Sequence, residues 1–397
     1  MKKHLLFVMN NLNCGGAEKS LISILEAIDY TRYNVDLFLF KHEGIFMNKV
    51  PRAVNILPEP KNYKYFDMPL KGALKELIAK RKFINALYRI FLGYLTKTEK
   101  NGSIVEQKFW KFLSKSVDNI NDTYDVAIGF LEKNPIYFCI DKVNAKKKIG
   151  WIHTDYNKLG VNLSTDENYY KHLDYVVTVS EDLVESLKNL FPDLREDIKC
   201  IHNLVSEKVI KKLSFEDVSF RNPNDNSISL ISLGRLVKEK GLDIALEAFD
   251  ILIKRGHRLK WYLIGEGYLR EELEKGIKAK NLEGKVILLG LKANPYPYLK
   301  QSDIFIQTSR VEGKSIAIDE AKILAKPILI TNFDTANNHI LNGINGVISN
   351  MDPISVANEL EKLILEKELR TKLMRNLKEE SLGRENEINK LYQLIDN

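Results

Sequence analysis

The chain has 397 residues, of which 44% are hydrophobic and 28% charged, the balance of folded globular material. That length exceeds one comfortable core, so two domains are expected. The net charge of +7 is local: residues 71–115 hold eleven Lys or Arg against three Glu, a net of +8, which points to one anionic surface partner. Cys14, Cys139 and Cys200 are scattered, with no C-x-x-C, which argues against a disulfide framework or a redox motif. The apolar run at 5–9 is too short for a secretion signal. No later stretch approaches the ~18 apolar residues of a membrane span, so a cytoplasmic protein is expected.

In chain order, HLLFVMN (4–10) reads as a strand that stops at the loop NLNCGG, and AEKSLISILEAI then reads as an amphipathic helix. Within the basic segment, RKFINALYRIFLGYLTKTEK (81–100) mixes cations with Phe83, Leu87, Ile90 and Tyr94. It has the composition of an interfacial helix beside anionic lipid, and equally of a helix that buries one side while its lysines face water. No nucleic-acid motif accompanies the charge, so nucleic acid is not an expected partner. NVDLFLF, DVAIGF, KKIGWIHT and DYVVTVS follow as strands, and Ser180 supplies an N-cap for SEDLVESLKNLF. Residues 204–227 break the rhythm, and RNPNDNS is dense in turn formers, which marks a linker. Alternation resumes with ISLISLG, GLDIALEAFDILIKRG, LKWYLIG, YLREELEKGIKAK, VILLG, DIFIQTS and PILITN. The expected organisation is α/β: a Rossmann-like domain at 1–203, a linker at 204–227, a second Rossmann-like domain at 228–375, and a final helix at 376–397 returning to the first. Two doubly wound sheets would face a central cleft, and ligands would bind beyond the carboxyl ends of the strands.

The loops after the strands therefore matter most. Gly15 and Gly16 sit at the first strand end, where absent side chains let a ligand approach the backbone and a helix N-terminus suits an anion. Taken alone, the pair reads more readily as a plain tight turn. After ISLISLG come Arg235 and Lys240, a guanidinium and an ammonium suited to a diphosphate. After DIFIQTS comes Glu312, with Glu320 eight residues on inside a helix that Ser315 or a neighbour begins. Two carboxylates so placed suit vicinal sugar hydroxyls, and the helix N-terminus between them suits phosphate. His153 ends another strand and could donate to a phosphate or a sugar, although a lone histidine is more often structural.

Together GGAEKS, GRLVKEKGLDIALEAF, GEGYLREELE, VILLG and the Glu312-x7-Glu320 pair resemble glycosyltransferase family 4, in order and spacing, over almost the whole chain. The form EGKSIAIDEAKILAKPILIT, with WIHTDY, is similar to bacterial members that build capsular or exopolysaccharide. The resemblance implies the GT-B fold and a retaining hexosyl or N-acetylhexosaminyl transfer from a nucleotide sugar, most readily a UDP sugar, to a lipid-linked or saccharide acceptor. It implies that Arg235 and Lys240 bind the donor diphosphate and that Glu320 holds the ribose. Glu312 and the backbone of Lys314, Ser315 and Ile316 would contact the transferred sugar, and His153 the sugar or its phosphate. Gly16 would line the site, while Gly265, Gly267, Gly290 and Leu291 would shape the base pocket. Two departures stand out: Lys314-Ser315 replaces the frequent Phe-Gly, and TANNHIL (335–341) replaces a Gly-Gly loop. With no Asp-x-Asp, no cofactor or metal is expected, and the leaving group's charge would be met by Arg235, Lys240 and a helix dipole. A UDP-sugar epimerase on the same fold, or a non-catalytic membrane or nucleic-acid binder, remain alternatives.

Overall fold

Runs such as LLFVM and ILIT, apolar on both faces, belong in the middle of parallel sheets covered by helices. The computed structural model bears this out, and it describes all residues except 1, 14, 205–206, 222–224 and 381–385. Cys14 and part of the RNPNDNS turn thus lie outside the described residues. The chain divides into two units: Met1–Asn13, Ala17–His202 and Asn386–Asn397 form the first, and Asn203–Glu385 with 14–16 the second.

The first unit holds β1 (Lys3–Met9), β2 (Tyr33–Leu39), β3 (Val54–Ile56), β4 (Thr123–Gly129), β5 (Asn144–Ile152), β6 (Tyr175–Thr178) and β7 (Ile198–Cys200). They make one sheet, ordered β3-β2-β1-β4-β5-β6-β7, with every pairing parallel. The last five residues of β1 are all buried. The order reverses direction between β1 and β4, the topological switch point of such a sheet. Ser180 caps the helix Glu181–Leu190, accepting from Leu183 N–H at 3.4 Å. The basic segment forms three helices, Leu70–Ala79, Phe83–Thr98 and Gly102–Leu113.

The helix Glu387–Asp396 completes this unit. Its Leu391 and Ile395 are buried, Tyr392 stacks on Tyr33 at 5.3 Å between centroids, and Asp396 pairs with Lys3 at 3.0 Å and with Arg32 at 2.5 Å. The preceding helix, Lys367–Glu379, stays with the second unit because Leu373 and Leu377 are buried in its cores. The returning segment is therefore shorter than 376–397.

The second unit holds β8 (Ile228–Leu233), β9 (Leu259–Ile264), β10 (Val286–Gly290), β11 (Ile304–Gln307), β12 (Ile328–Thr331) and β13 (Val347–Ser349). Its sheet runs β10-β9-β8-β11-β12-β13, again all parallel, with the switch point between β8 and β11. The stretch read as a linker is not bare connection: Glu207–Leu213 is a helix whose Ile210 and Leu213 pack with Tyr296 and Ile323 of this unit. Tertiary packing there overrides a weak local signal. Among the described residues no helix is long and apolar enough to cross a membrane.

Candidate functional site

The loops after β8 and β11 meet at the switch point of the second unit. β8 hands the chain to Gly234, whose N–H donates to Ile264 O at 3.0 Å, and the backbone then turns through Arg235 to Lys240. Gly265, at the end of β9, has φ +149°, and a Cβ there would sit 1.8 Å from Gly234 O. Only glycine lets these two strand ends close on each other. Gly241 ends the first loop at φ +58°, where a Cβ would lie 2.0 Å from Thr308 O of the second. The two loops are further tied by Thr308 Oγ1 donating to Gly241 O at 2.8 Å. Arg310 grips Asp243 with both terminal nitrogens, at 2.7 and 2.6 Å. That fork lowers the pKa of the Asp243 carboxyl against the opposing effect of partial burial. Ser232, Gly234, Arg235, Lys240, Gln307 and Thr308 line a small cavity between the strand ends.

Glu312 stands at its edge. Its Oε1 accepts from Gln307 Nε2 at 2.9 Å and from Ser309 Oγ at 2.6 Å, and it pairs with Lys240 Nζ. Three donors converge on one oxygen, and Oε2 has no partner among the described residues. Gln307 is fixed in turn, because its Oε1 accepts from Ser315 Oγ at 2.9 Å. Ser315 is the N-cap of the helix Ile316–Ile323, but with its hydroxyl committed to Gln307 it gives that helix no side-chain cap. The helix thus presents first-turn N–H groups beside a carboxylate oxygen with an open lone pair, which suits an anion next to a hydroxyl. Arg235 is exposed, and its guanidinium makes no ion pair or hydrogen bond with the described residues.

Lys240 and Glu312 are thus brought together, with Arg235 lining the same cavity. Ile316 opens the helix and packs beside Tyr296. Lys314 is turned inward and pairs with Asp319 at 3.1 Å, and its Nζ lies 3.5 Å from His339 Nδ1. The TANNHIL stretch thereby supplies a buried imidazole where a glycine loop was the family expectation. Glu320 is only 2% exposed and accepts from Tyr296 OH at 3.1 Å. Gly290 carries φ +69°, and its carbonyl accepts from Gly265 N–H at 3.0 Å. Leu291 beside it is exposed.

Gly16, grouped with the second unit, begins the helix Gly16–Ala27, whose remaining residues belong to the first. His153 follows β5, its N–H donating to Glu132 Oε2 at 3.2 Å and its ring lying 4.9 Å from that of Phe130. Burial pulls its pKa down to about 4 against the opposing pull of Glu132, so the imidazole is neutral at pH 7. Its Nε2 has no hydrogen-bonding partner among the described residues. Glu181, Cys200 and His202 form one ligand-type group, with Sγ 3.9 Å from the His202 ring nitrogens. Burial and Glu181 push that thiol up to about 12, which disfavours the thiolate a metal would need.

Sequence reasoning missed Gln307 and Ser309, which aim Glu312, and Tyr296, which meets Glu320. It also missed Glu132, which holds the backbone of His153. The signal for the first two is Q-x-S at a strand end, directly before the carboxylate; Tyr296 and Glu132 carry none, because their partners lie far along the chain.

Among known proteins, an uncharacterized glycosyltransferase of Methanocaldococcus jannaschii is 28% identical over 175 residues, 44% of this chain and 43% of that protein. A Campylobacter jejuni protein named as an N-acetylgalactosaminyltransferase acting on a diphospho-undecaprenol saccharide is 28% identical over 181 residues, 46% of this chain and 47% of that protein. The matches to these two span less than half the length of each relative. Anabaena HepE, solved with UDP, superposes with a TM-score of 0.65 at 17% identity, covering 99% of this chain and 98% of that one. Staphylococcus aureus TarM, solved with UDP and saccharides, gives 0.67 at 16% identity and covers both chains fully at 100%. Residues 214–380 match the family model of glycosyl transferases group 1, and the two units, each a parallel α/β sheet of Rossmann type, have the GT-B fold.

Proposed function

We propose that the chain is a retaining glycosyltransferase. In this reading it moves a hexosyl or N-acetylhexosaminyl group from a UDP sugar to a lipid-linked or saccharide acceptor in bacterial surface polysaccharide synthesis. The observation that carries the reading is Glu312, held through Oε1 by Lys240, Gln307 and Ser309 with Oε2 open, while the unpaired guanidinium of Arg235 lines the same small cavity as Lys240 and Gln307. The relatives support the class of substrate: one is named for transfer onto an undecaprenyl diphosphate saccharide, another for capsular polysaccharide biosynthesis, and HepE has been solved with UDP-glucose.

Arg235 holds two oxygens of the diphosphate, and Lys240 and the N-terminus of Ile316–Ile323 add positive potential. Glu312 Oε2 accepts from a hydroxyl of the transferred sugar, and the backbone of Lys314, Ser315 and Ile316 contacts that sugar. Glu320 holds the ribose once Tyr296 yields its hydrogen bond. Gly265 and Leu291 border the base. The bond from the anomeric carbon to the UDP oxygen breaks, and the acceptor oxygen bonds to that carbon from the same face. The acceptor's proton passes to the departing phosphate. The stabilising charge comes from side chains and the helix dipole, so transfer proceeds without a divalent metal.

The test is incubation of the protein with UDP sugars and a polyprenyl-diphosphate saccharide, with the product read by NMR in the presence of EDTA. An α product from an α donor supports the reading. Inverted product, donor epimerised without acceptor, or no turnover with any UDP sugar overturns it.

A further inference from the structure

The helix Phe83–Thr98 is apolar on two opposite faces. Leu95 is buried in a core of the first unit, and Tyr88 and Leu92 pack against that core. On the other side Phe83, Leu87, Ile90 and Tyr94 are 63, 64, 50 and 61% exposed, and Ile84 beside them is 66% exposed. Their spacing of four, three and four residues makes one straight stripe about 16 Å long. A helix that merely solvates its outer face has no use for such a stripe. No Asp or Glu occurs between Glu76 and Glu99. Arg81 stands before the helix, Lys97 in its last turn and Lys100 just beyond; all three are exposed and make no ion pair with the described residues. Lys71 and Lys75, on the helix Leu70–Ala79, are exposed and unpaired in the same way.

We propose that this face docks on a bilayer of anionic phospholipid, the stripe lying at the boundary of headgroups and acyl chains and the cations among the phosphates. Charge selects this occupant. A second copy of the chain would bring an equally basic surface against it, and like charges in contact repel.

The full chain, without nucleotide, is sedimented with vesicles of phosphatidylcholine alone and of phosphatidylcholine mixed with phosphatidylglycerol. Because no donor is present, the result is independent of the transfer chemistry. Two double variants, Leu87→Gln/Ile90→Gln and Arg81→Gln/Lys97→Gln, change only exposed side chains, and glutamine is a good helix former. The expected result is binding to the mixed vesicles only, weakened by salt. Each cation removed should lower it about fivefold, and the apolar pair should lower it at least tenfold. Circular dichroism checks that both variants melt like the native chain. No binding by the native chain, equal binding to phosphatidylcholine, or unchanged binding by the folded variants overturns the proposal. So does self-association of the native chain that Leu87→Gln/Ile90→Gln abolishes while vesicle binding stays unchanged.

Discussion

Gly241→Ala tests whether the closure between the loops after β8 and β11 makes the site. Gly241 has φ +58°, and a Cβ built there lies 2.0 Å from Thr308 O and 3.1 Å from Thr308 C. Alanine in the left-handed region costs about 1–2 kcal/mol. Relieving a backbone overlap adds about 1–3 kcal/mol, as overpacked sites do. The sum is about 2–5 kcal/mol. Gly284→Ala is the matched control: φ is +72°, and nothing lies within 4 Å of the new methyl. It incurs the left-handed term alone, about 1–2 kcal/mol. Urea unfolding followed by hydrogen exchange in peptides from 228–264 reads the second unit by itself. UDP titration calorimetry reads the site, where movement of Lys240 should weaken binding about tenfold in Gly241→Ala and leave Gly284→Ala near native. Equal destabilisation by the two substitutions, or native UDP affinity in Gly241→Ala, would refute the argument that this close approach builds the site.

Three further outcomes are expected. Arg235→Ala should weaken UDP binding by one to two orders of magnitude, the worth of a charged hydrogen bond, while thermal stability stays native because the guanidinium has no partner among the described residues; calorimetry and a melting curve check both halves. His153 takes its proton near pH 6.5 when unfolded and near 4 when folded. The unfolded state therefore binds more protons between those values, and stability should fall by roughly 2–3 kcal/mol as pH drops from 6.5 to 4, the slope dying away over about one pH unit above 6.5; His153→Gln should flatten that part of a urea-midpoint-versus-pH curve. Leu391→Ala should destabilise the first unit by about 2–4 kcal/mol through the cavity it leaves, speeding hydrogen exchange in β1 and β2 and sparing β8 and β9.

The sheets were legible because buried parallel strands are short, continuous apolar runs. HLLFVMN, DVAIGF, LKWYLIG and PILITN each coincide with a strand within a residue or two. The edge strands Val54–Ile56, Ile198–Cys200 and Val347–Ser349 were not, since three residues carry no period to detect. The Glu207–Leu213 helix escaped for another reason: its apolar contacts, Tyr296 and Ile323, lie about a hundred residues away. In the site, position after a strand singled out Lys240 and Glu312, which the fold brings into contact. It could not show that Lys240 joins Gln307 and Ser309 on one carboxylate oxygen, because that meeting depends on the β8–β11 adjacency. Nor could it show that Lys314 turns inward to Asp319. The basic segment was legible only as composition; the stripe needed the helix's buried side to be known first.

The discontinuity of the first unit bears on how the chain is made. Its sheet is complete by Cys200, yet the helix that covers Tyr33 and neutralises Lys3 and Arg32 begins at Glu387. During synthesis at about 5–20 residues per second, that surface waits roughly 10–40 s for its cover. The second unit, whose strands and cores all lie between Asn203 and Glu385, emerges whole in the interval and can fold alone. The nascent chain therefore finishes its second unit before its first, and the uncovered surface around Tyr33 is where a chaperone would find the half-made protein.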